Sequence, residues 1–428
     1  MRFYFFYSLF LGFQLDLHAQ ALPSGSPGGG SNKLAYLVET LVGSALERAE
    51  ADPALRPLFQ GLRPLIGDRL GAQFGSLNQG VAQALSNLPL PSPASSLSYT
   101  YNQALGVYVP SQQSLGPILT ERAETIGKRK LYMGVSVQRF AFDRLDDVNF
   151  RSFQTGVPLA IPFGQSFVIP GLLQTDTTIK LDVNQVTAQF TYGLTHNIDI
   201  SYALPVVSTS MTVTSQGILR IGQGLSVPFE KIQVSGSSTG LGDGVARVKA
   251  RLLTKPRMGV AAAADVRIPT GDALNYRGAG AVGFKPFVVA SFTKGAISPH
   301  VNAGYQWNGS SFLGTPSGRE KARLPSQGLL SAGIETRLGK RVTVTTDVIN
   351  QIVRNGTSTV LGGAIATEGG SYQQFSFVRK THQEVSASVG VKVQLTQGLI
   401  VSCNLLFRLN NSGLRAGVVP FGGFSSIR

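Results

Sequence analysis

Cysteine is almost missing from this chain of 428 residues: Cys403 stands alone, which excludes an internal disulfide and any cysteine metal cluster. Histidine is scarce as well. Of the four, His18 lies in an N-terminal apolar run, and His196, His300 and His382 are far apart and lack metal-ligand spacing, so no metal and no other cofactor is expected. Charged residues make up only 14% of the chain. After the N-terminus no window holds ~18 apolar residues without charge, so no helix is available to cross a membrane. Catalytic signals are thin too. There is no G-x-S-x-G, and GAGAVG at Gly278 to Gly283 leads from a loop into a strand and opens no helix, so the match to G-x-G-x-x-G is chance.

What the chain has instead is glycine, 50 residues of it, and aliphatic side chains in short alternating runs, a profile of many strands and turns. Arg2, the aromatic-rich run Phe3 to Phe13 and the small-residue site Ala19-Gln20-Ala21 read as a secretory signal peptide over residues 1–21. Residues 22–96 then form a linker and an amphipathic helical segment. LPSGSPGGGS (Leu22 to Ser31) is flexible. Leu34, Leu37, Val38, Leu41, Val42, Ala45 and Leu46 recur at helical spacing, Asp52-Pro53 interrupts them, and two further helical patterns run through Leu55 to Leu65 and Phe74 to Leu85. The helices are expected in the periplasm.

From Lys130 onward, segments of about ten residues alternate apolar and polar side chains and are joined in pairs by tight turns, which is how a transmembrane strand is written. Strands are predicted around 130–142, 186–192, 198–206, 245–253, 258–268, 281–292, 296–307, 328–338, 341–352, 384–395, 399–409 and 414–424. Short turns alternate with longer loops at 143–176, 214–239, 269–280, 309–325 and 353–381. The fold class is therefore all-β membrane: an antiparallel up-and-down transmembrane β-barrel of about 12 strands over 130–428, preceded by a small helical N-terminal segment. Even parity places the short turns in the periplasm and the long loops outside. Residues 97–129, too polar for a strand pair in lipid, are either a plug in the barrel or a periplasmic lead-in, with Glu121, Arg122 and Glu124 available to pair with basic wall residues.

Turning Ala246, Val248, Ala250 and Leu252 toward lipid turns Arg247, Lys249 and Arg251 inward. The same alternation sends Asp265, Arg267 and Lys285 inward, giving three adjacent strands a basic wall, with His300 on the next strand. Glu335, Arg337, Asp347, Glu384, Lys392 and Arg408 face them. Inward charges of both signs serve either as a network filling a narrow barrel or as a conduit that concentrates anions. The formal net charge of +15 carries no nucleic-acid motif and fits anionic lipid at the rims and a basic lumen.

The run LPLPSPASS, the segment SLGPILTERAETIGKRKLYMGVSVQRF, VRIPTGD, SPHVNAGYQWNG and LNNSGLRAGVVP resemble the bacterial outer-membrane transporters assigned to the phenol meta-cleavage (MetA) pathway, a group related to long-chain fatty-acid and aromatic-hydrocarbon channels. The resemblance implies a Gram-negative outer-membrane channel for passive passage of small, hydrophobic or aromatic solutes, and the partly basic lumen makes anionic ones the expected class. Its partners would be outer-membrane lipid and lipopolysaccharide, the barrel-assembly machinery and the solute. Such barrels usually end on an aromatic residue, whereas this chain ends GFSSIR. Two other classes are weighed. A secretion or interaction barrel would carry the N-terminal segment as a passenger, and an outer-membrane phospholipase would need a lipid-facing Ser/His pair, whereas Ser298 and His300 point inward by register.

Overall fold

The computed structural model describes residues 33–53, 56–92, 99–102, 107–110, 114–163, 167–222, 224–315, 320–367, 370–396 and 398–427. The signal-peptide and linker assignments lie outside them. Twelve strands close on themselves: β1 (Leu131–Leu145), β2 (Phe167–Gly193), β3 (Ile198–Ile221), β4 (Gly244–Lys255), β5 (Met258–Ile268), β6 (Gly283–Phe292), β7 (Ile297–Asn308), β8 (Ser326–Leu338), β9 (Val342–Thr367), β10 (Gly370–Thr396), β11 (Leu399–Arg408) and β12 (Val418–Ile427). Each pairs antiparallel with its neighbours in sequence, and β12 returns to β1 from Phe421↔Gln138 to Ile427↔Tyr132. The last strand therefore runs later than predicted. Leu414–Ala416 pairs separately with β1.

Alternation along the strands sets the two surfaces. Val248, Val288, Val301, Leu330, Val348, Val389 and Leu405 project outward and are exposed. Trp307 stacks on Phe284 at 6.0 Å in the same outer surface. Such a continuous apolar belt suits lipid and is too extensive for water. The alternate positions, Ser136, Lys249, Asp265, His300, Glu335, Thr345 and Asp347 among them, are buried inside.

Three of the predicted loops turn out to be largely strand. A span of the bilayer needs about 9–11 tilted residues, but β2 has 27 and β3 has 24. Their surplus pairs with two added strands, Phe153–Phe163 against β2 and Leu225–Leu241 against β3. The β9–β10 hairpin likewise continues to Thr367↔Gly370. A four-stranded sheet thus projects beyond the barrel at the long-connection end. Both its faces carry Thr, Ser and Gly among the aliphatics, so no clean alternation marked it as strand.

The helices are α1 (Leu37–Ala51) and α2 (Arg56–Ser86). Asp52, held extended by the following Pro53, ends α1. The second and third helical patterns are one continuous helix, because the glycines between them weaken a helix without stopping it. They sit at the long-connection end of the barrel, not at the expected short-turn end. Val42 and Leu46 of α1 with Phe59, Leu62 and Ile66 of α2 pack on Val157, Leu159, Leu173, Leu219 and Val227 of the projecting sheet. Farther along, Leu77, Val81 and Leu85 pack on Phe142, Leu145, Met211, Tyr276 and Leu313 around the long-connection mouth of the barrel.

Candidate functional site

The charged wall is built by register. Arg247 on β4 sits opposite Asp265 on β5, which sits opposite Lys285 on β6, so three adjacent strands place alternating charges in one row. Arg247 grips Asp265 through two bonds, Nε to Oδ1 at 2.6 Å and an η-nitrogen to Oδ2 at 2.9 Å. Lys285 Nζ reaches Asp265 Oδ2 at 2.8 Å. Both cations also lie over the Phe287 ring, at 5.1 and 5.5 Å from its centroid.

Residues 114–126 occupy the lumen as a loop inserted from the short-turn end. Near that end Leu115 N–H donates to Thr343 Oγ1 at 2.9 Å. At the apex Thr120 Oγ1 lies 2.5 Å from His300 Nε2 and 2.6 Å from Asp347 Oδ1, and the Glu121 backbone exchanges two bonds with the Asn302 amide, at 2.8 and 2.7 Å. The loop then descends. Ala123 N–H donates to Ser291 Oγ at 2.9 Å, Ile126 N–H to Asp199 Oδ2 at 3.0 Å, and Thr125 Oγ1 to the His196 carbonyl at 2.7 Å. Gly193, where a side chain would collide with the Gly127 carbonyl, lets the chain cross the rim and enter β1.

The basic wall is the clamp for this loop. Glu121 Oε2 accepts from Arg247 at 2.6 Å and Oε1 from Lys249 at 3.2 Å, while Lys249 also donates to the carbonyl of Glu124 at 2.7 Å. Across the lumen, Lys392 donates to the carbonyls of Pro117 at 2.5 Å and Leu115 at 3.3 Å. Arg122 lies 3.7 Å from Glu335 and 3.6 Å from Glu124. Two of the three acidic and basic residues proposed for the segment, Glu121 and Arg122, thus pair with wall side chains, and Glu124 does so through its carbonyl.

Above the apex lies a partly open chamber of about 200 Å³, lined by Leu85 to Leu90, Ser92, Leu119 and Glu121 on one side and by wall residues from Gln185 to Gln351 on the other. Leu88, Leu90, Val245, Phe287, Leu329 and Ile349 give it apolar surface; Arg247, Asp265, Lys285 and Arg267 give it charge. Arg267 holds the roof, donating to the Ser86 carbonyl at 2.6 Å and to Asn308 Oδ1 at 2.7 Å.

Of the predicted wall residues, Arg247, Lys249, Asp265, Lys285, His300, Glu335, Asp347 and Lys392 are brought together around the loop. Glu384 lies higher and accepts from Gln83 of α2 at 2.9 Å. Arg408 pairs with Asp143 at 2.9 Å. Arg251 and Arg337 lie apart from this group, at the short-turn rim. Arg251 bonds the His196 carbonyl and Asn197, and Arg337 is two residues from the Gly339 turn and bonds Ala296 through its backbone. Sequence reasoning missed Phe287, Thr120 and the 85–90 roof. Phe287 shares the inward parity of Lys285 and was legible from it; Thr120 and the roof carry no periodic signal.

No curated protein matches the sequence. Among solved structures the chain is similar to an outer membrane channel from Pseudomonas putida F1, at 12% identity over 72% of this chain and 98% of that one with a TM-score of 0.43. It is also similar to the CymD monoaromatic hydrocarbon channel, at 9% identity, 70% and 88% coverage and a TM-score of 0.33. A Pseudomonas aeruginosa FadL homologue matches at 10% identity, 71% and 89% coverage and a TM-score of 0.30. A family model matches residues 142–415, most of the barrel. A closed twelve-stranded barrel with an apolar belt and a polar interior is the architecture of an outer-membrane β-barrel, and the chain belongs to the family described as "Putative MetA-pathway of phenol degradation".

Proposed function

We propose that the protein is a passive channel in the outer membrane of a Gram-negative cell, with its long connections outside, and that it admits small hydrophobic or aromatic anions. The chamber beside Phe287 carries this reading. A cavity of roughly 150 Å³ is enough for benzene, so the chamber's about 200 Å³ accommodates one ring. The ring would lie against Leu88, Leu90, Phe287 and Ile349. Its carboxylate would meet Lys285, whose side chain keeps 29% of its surface exposed although it pairs with Asp265. A charged passage walled by low-dielectric protein concentrates solutes of opposite charge. The family's description, which concerns phenol degradation, agrees with an aromatic class. Passage below the chamber requires the 114–126 loop to shift. Lipopolysaccharide around the belt and the barrel-assembly machinery are the partners this placement entails.

Proteoliposomes test it. Benzoate should enter faster than a neutral solute of equal size, and Lys285→Gln should abolish that preference while leaving neutral permeation unchanged. Equal rates for the two solutes in the unmodified protein would refute the anionic-aromatic reading.

A further inference from the structure

The helices and the start of the first barrel strand, at Leu131, lie at opposite ends of the lumen. Lys33, the first described residue, is tied at 2.8 Å to Asp272 in the long connection between β5 and β6. Asn78 of α2 donates to the Ala35 carbonyl at 3.1 Å and accepts from Tyr276 of the same connection. Gln79 donates to the Gly314 carbonyl at 2.8 Å, in the next long connection. From there the chain enters the barrel. Ser86 is held at the mouth by Arg267 and Gln306. Gln189, four residues from the short turn after β2, donates to the Pro91 carbonyl at 2.8 Å, and Ser92 N–H donates to the Ile118 carbonyl at 2.8 Å on the inserted loop. By Gly127 the chain is at the short-turn rim, where Arg129 N–H donates to the Gly193 carbonyl at 2.8 Å. The polypeptide before β1 has therefore passed from one mouth of its own barrel to the other.

We infer that the protein exports its own N-terminal segment: α1 and α2 are delivered through the lumen and displayed on the cell surface, docked on the projecting sheet. The inference rests on the outward orientation of the long connections proposed above. Three features of the chain fit export. The helical segment is docked through a contiguous apolar cluster on strands that themselves project beyond the membrane, so its folded site exists only on that side. The stretch that remains in the lumen, from Ser86 to Ser92, meets the barrel wall mostly through its backbone carbonyls, which accept from Arg267, Gln306 and Gln189, while the Asn87 side chain accepts from Gln327 through Oδ1. Contacts made mostly by backbone suit a strand that has slid into place. The segment after it returns to start β1 at the periplasmic rim, as the first strand of a barrel inserted from the periplasm must.

Single cysteines read by a membrane-impermeant maleimide on intact cells test the inference, in a Cys403→Ser background. Gly61→Cys on α2 and Gly43→Cys on α1 meet nothing within 4 Å of the added Cβ, nor does Gly363→Cys in the long β9–β10 hairpin. Lys340→Cys reports the short turns. Each variant is first shown to be folded by its heat-dependent gel mobility. Display predicts that Gly61→Cys and Gly43→Cys label to at least half the extent of Gly363→Cys, with Lys340→Cys labelled only after permeabilisation. Labelling of Gly363→Cys alone would overturn export and leave the channel's orientation intact. Labelling of Lys340→Cys alone would overturn both export and the orientation.

Discussion

The lumen has two unlike walls. From β4 to β8 it presents Arg247, Lys249, Asp265, Lys285, His300 and Glu335, nearly all of which touch the inserted loop or one another. From β11 through β12 to β1 it presents Ser402, Gly423, Ser425, Ser136 and Gln138. There, Ser136 Oγ, Gln138 Oε1 and both polar side-chain atoms of the neighbouring Asn404 have no hydrogen-bond partner among the described residues. Charged groups buried in protein are stable only when their partners are in place, so the first wall specifies where the loop sits. The charged wall has atoms without hydrogen-bond partners too, His300 Nδ1 and both Glu335 carboxylate oxygens among them, so what separates the walls is charge: the second offers the loop small, neutral side chains. One wall grips the loop through ion pairs, and the other meets it without charge.

Breaking the clamp should have the largest effect. Glu121→Ala leaves Lys249 without its carboxylate and Arg247 with Asp265 alone; removing one partner of a buried ion pair costs about 3–5 kcal/mol. We expect the loop to leave its seat in part of the population and single-channel conductance to rise more than tenfold. An unaltered conductance in a folded barrel would show that the charged wall does not hold the gate. Filling the other wall should act in the opposite direction and more weakly. Ser136→Leu fills the space beside Ile118 without touching an ion pair, so residual conductance should fall several-fold while heat stability of the folded form is kept. A loss of stability comparable to that of Glu121→Ala would make the two walls equivalent.

The smallest effect lies outside the barrel. Burial pushes the Asp272 carboxyl up, but the hydrogen bonds from Lys33 and Asn275 and the nearby charges outweigh it and hold it below the usual carboxylate range. A lowered folded value means that the contact contributes fully above the ordinary carboxylate value and is lost as pH falls through the lowered one. The start of the helical segment should therefore become more accessible to protease only in strong acid. Because the pair is partly exposed, the change should be slight; release beginning near neutral pH would contradict the assignment.

How far the chain's own order revealed these walls follows from periodicity. Inward and outward positions on β4 to β8 could be assigned because one face meets lipid, and the twelve strands could be counted from their turns for the same reason. The projecting halves of β2, β3, β9 and β10 have no lipid face, and their polar, Gly-rich stretches read as loops. Helical spacing located α1 and α2 but not the end of the barrel they cover, which depends on packing between Val42 or Phe59 and strands far along the chain. The charges of Glu121 and Arg122 were visible; that Glu121 would neutralise the basic wall was one of two open possibilities, because an aperiodic segment carries no register.

Residues 114–126 fill the lumen, and permeation as proposed requires them to move. Ala123 and Gly259 face each other there, with the Ala123 Cβ 3.0 Å from where a Cβ on Gly259 would stand, near enough that a small shift gives the roughly 3.8 Å of a disulfide. The direct measurement is single-channel conductance of Ala123→Cys/Gly259→Cys in a Cys403→Ser background, before and after reduction. The account predicts that the bond forms in native membranes, holds the channel in its low-conductance state, and that reduction restores opening. A folded double variant that forms no bond, or one whose conductance is the same locked and reduced, would contradict it.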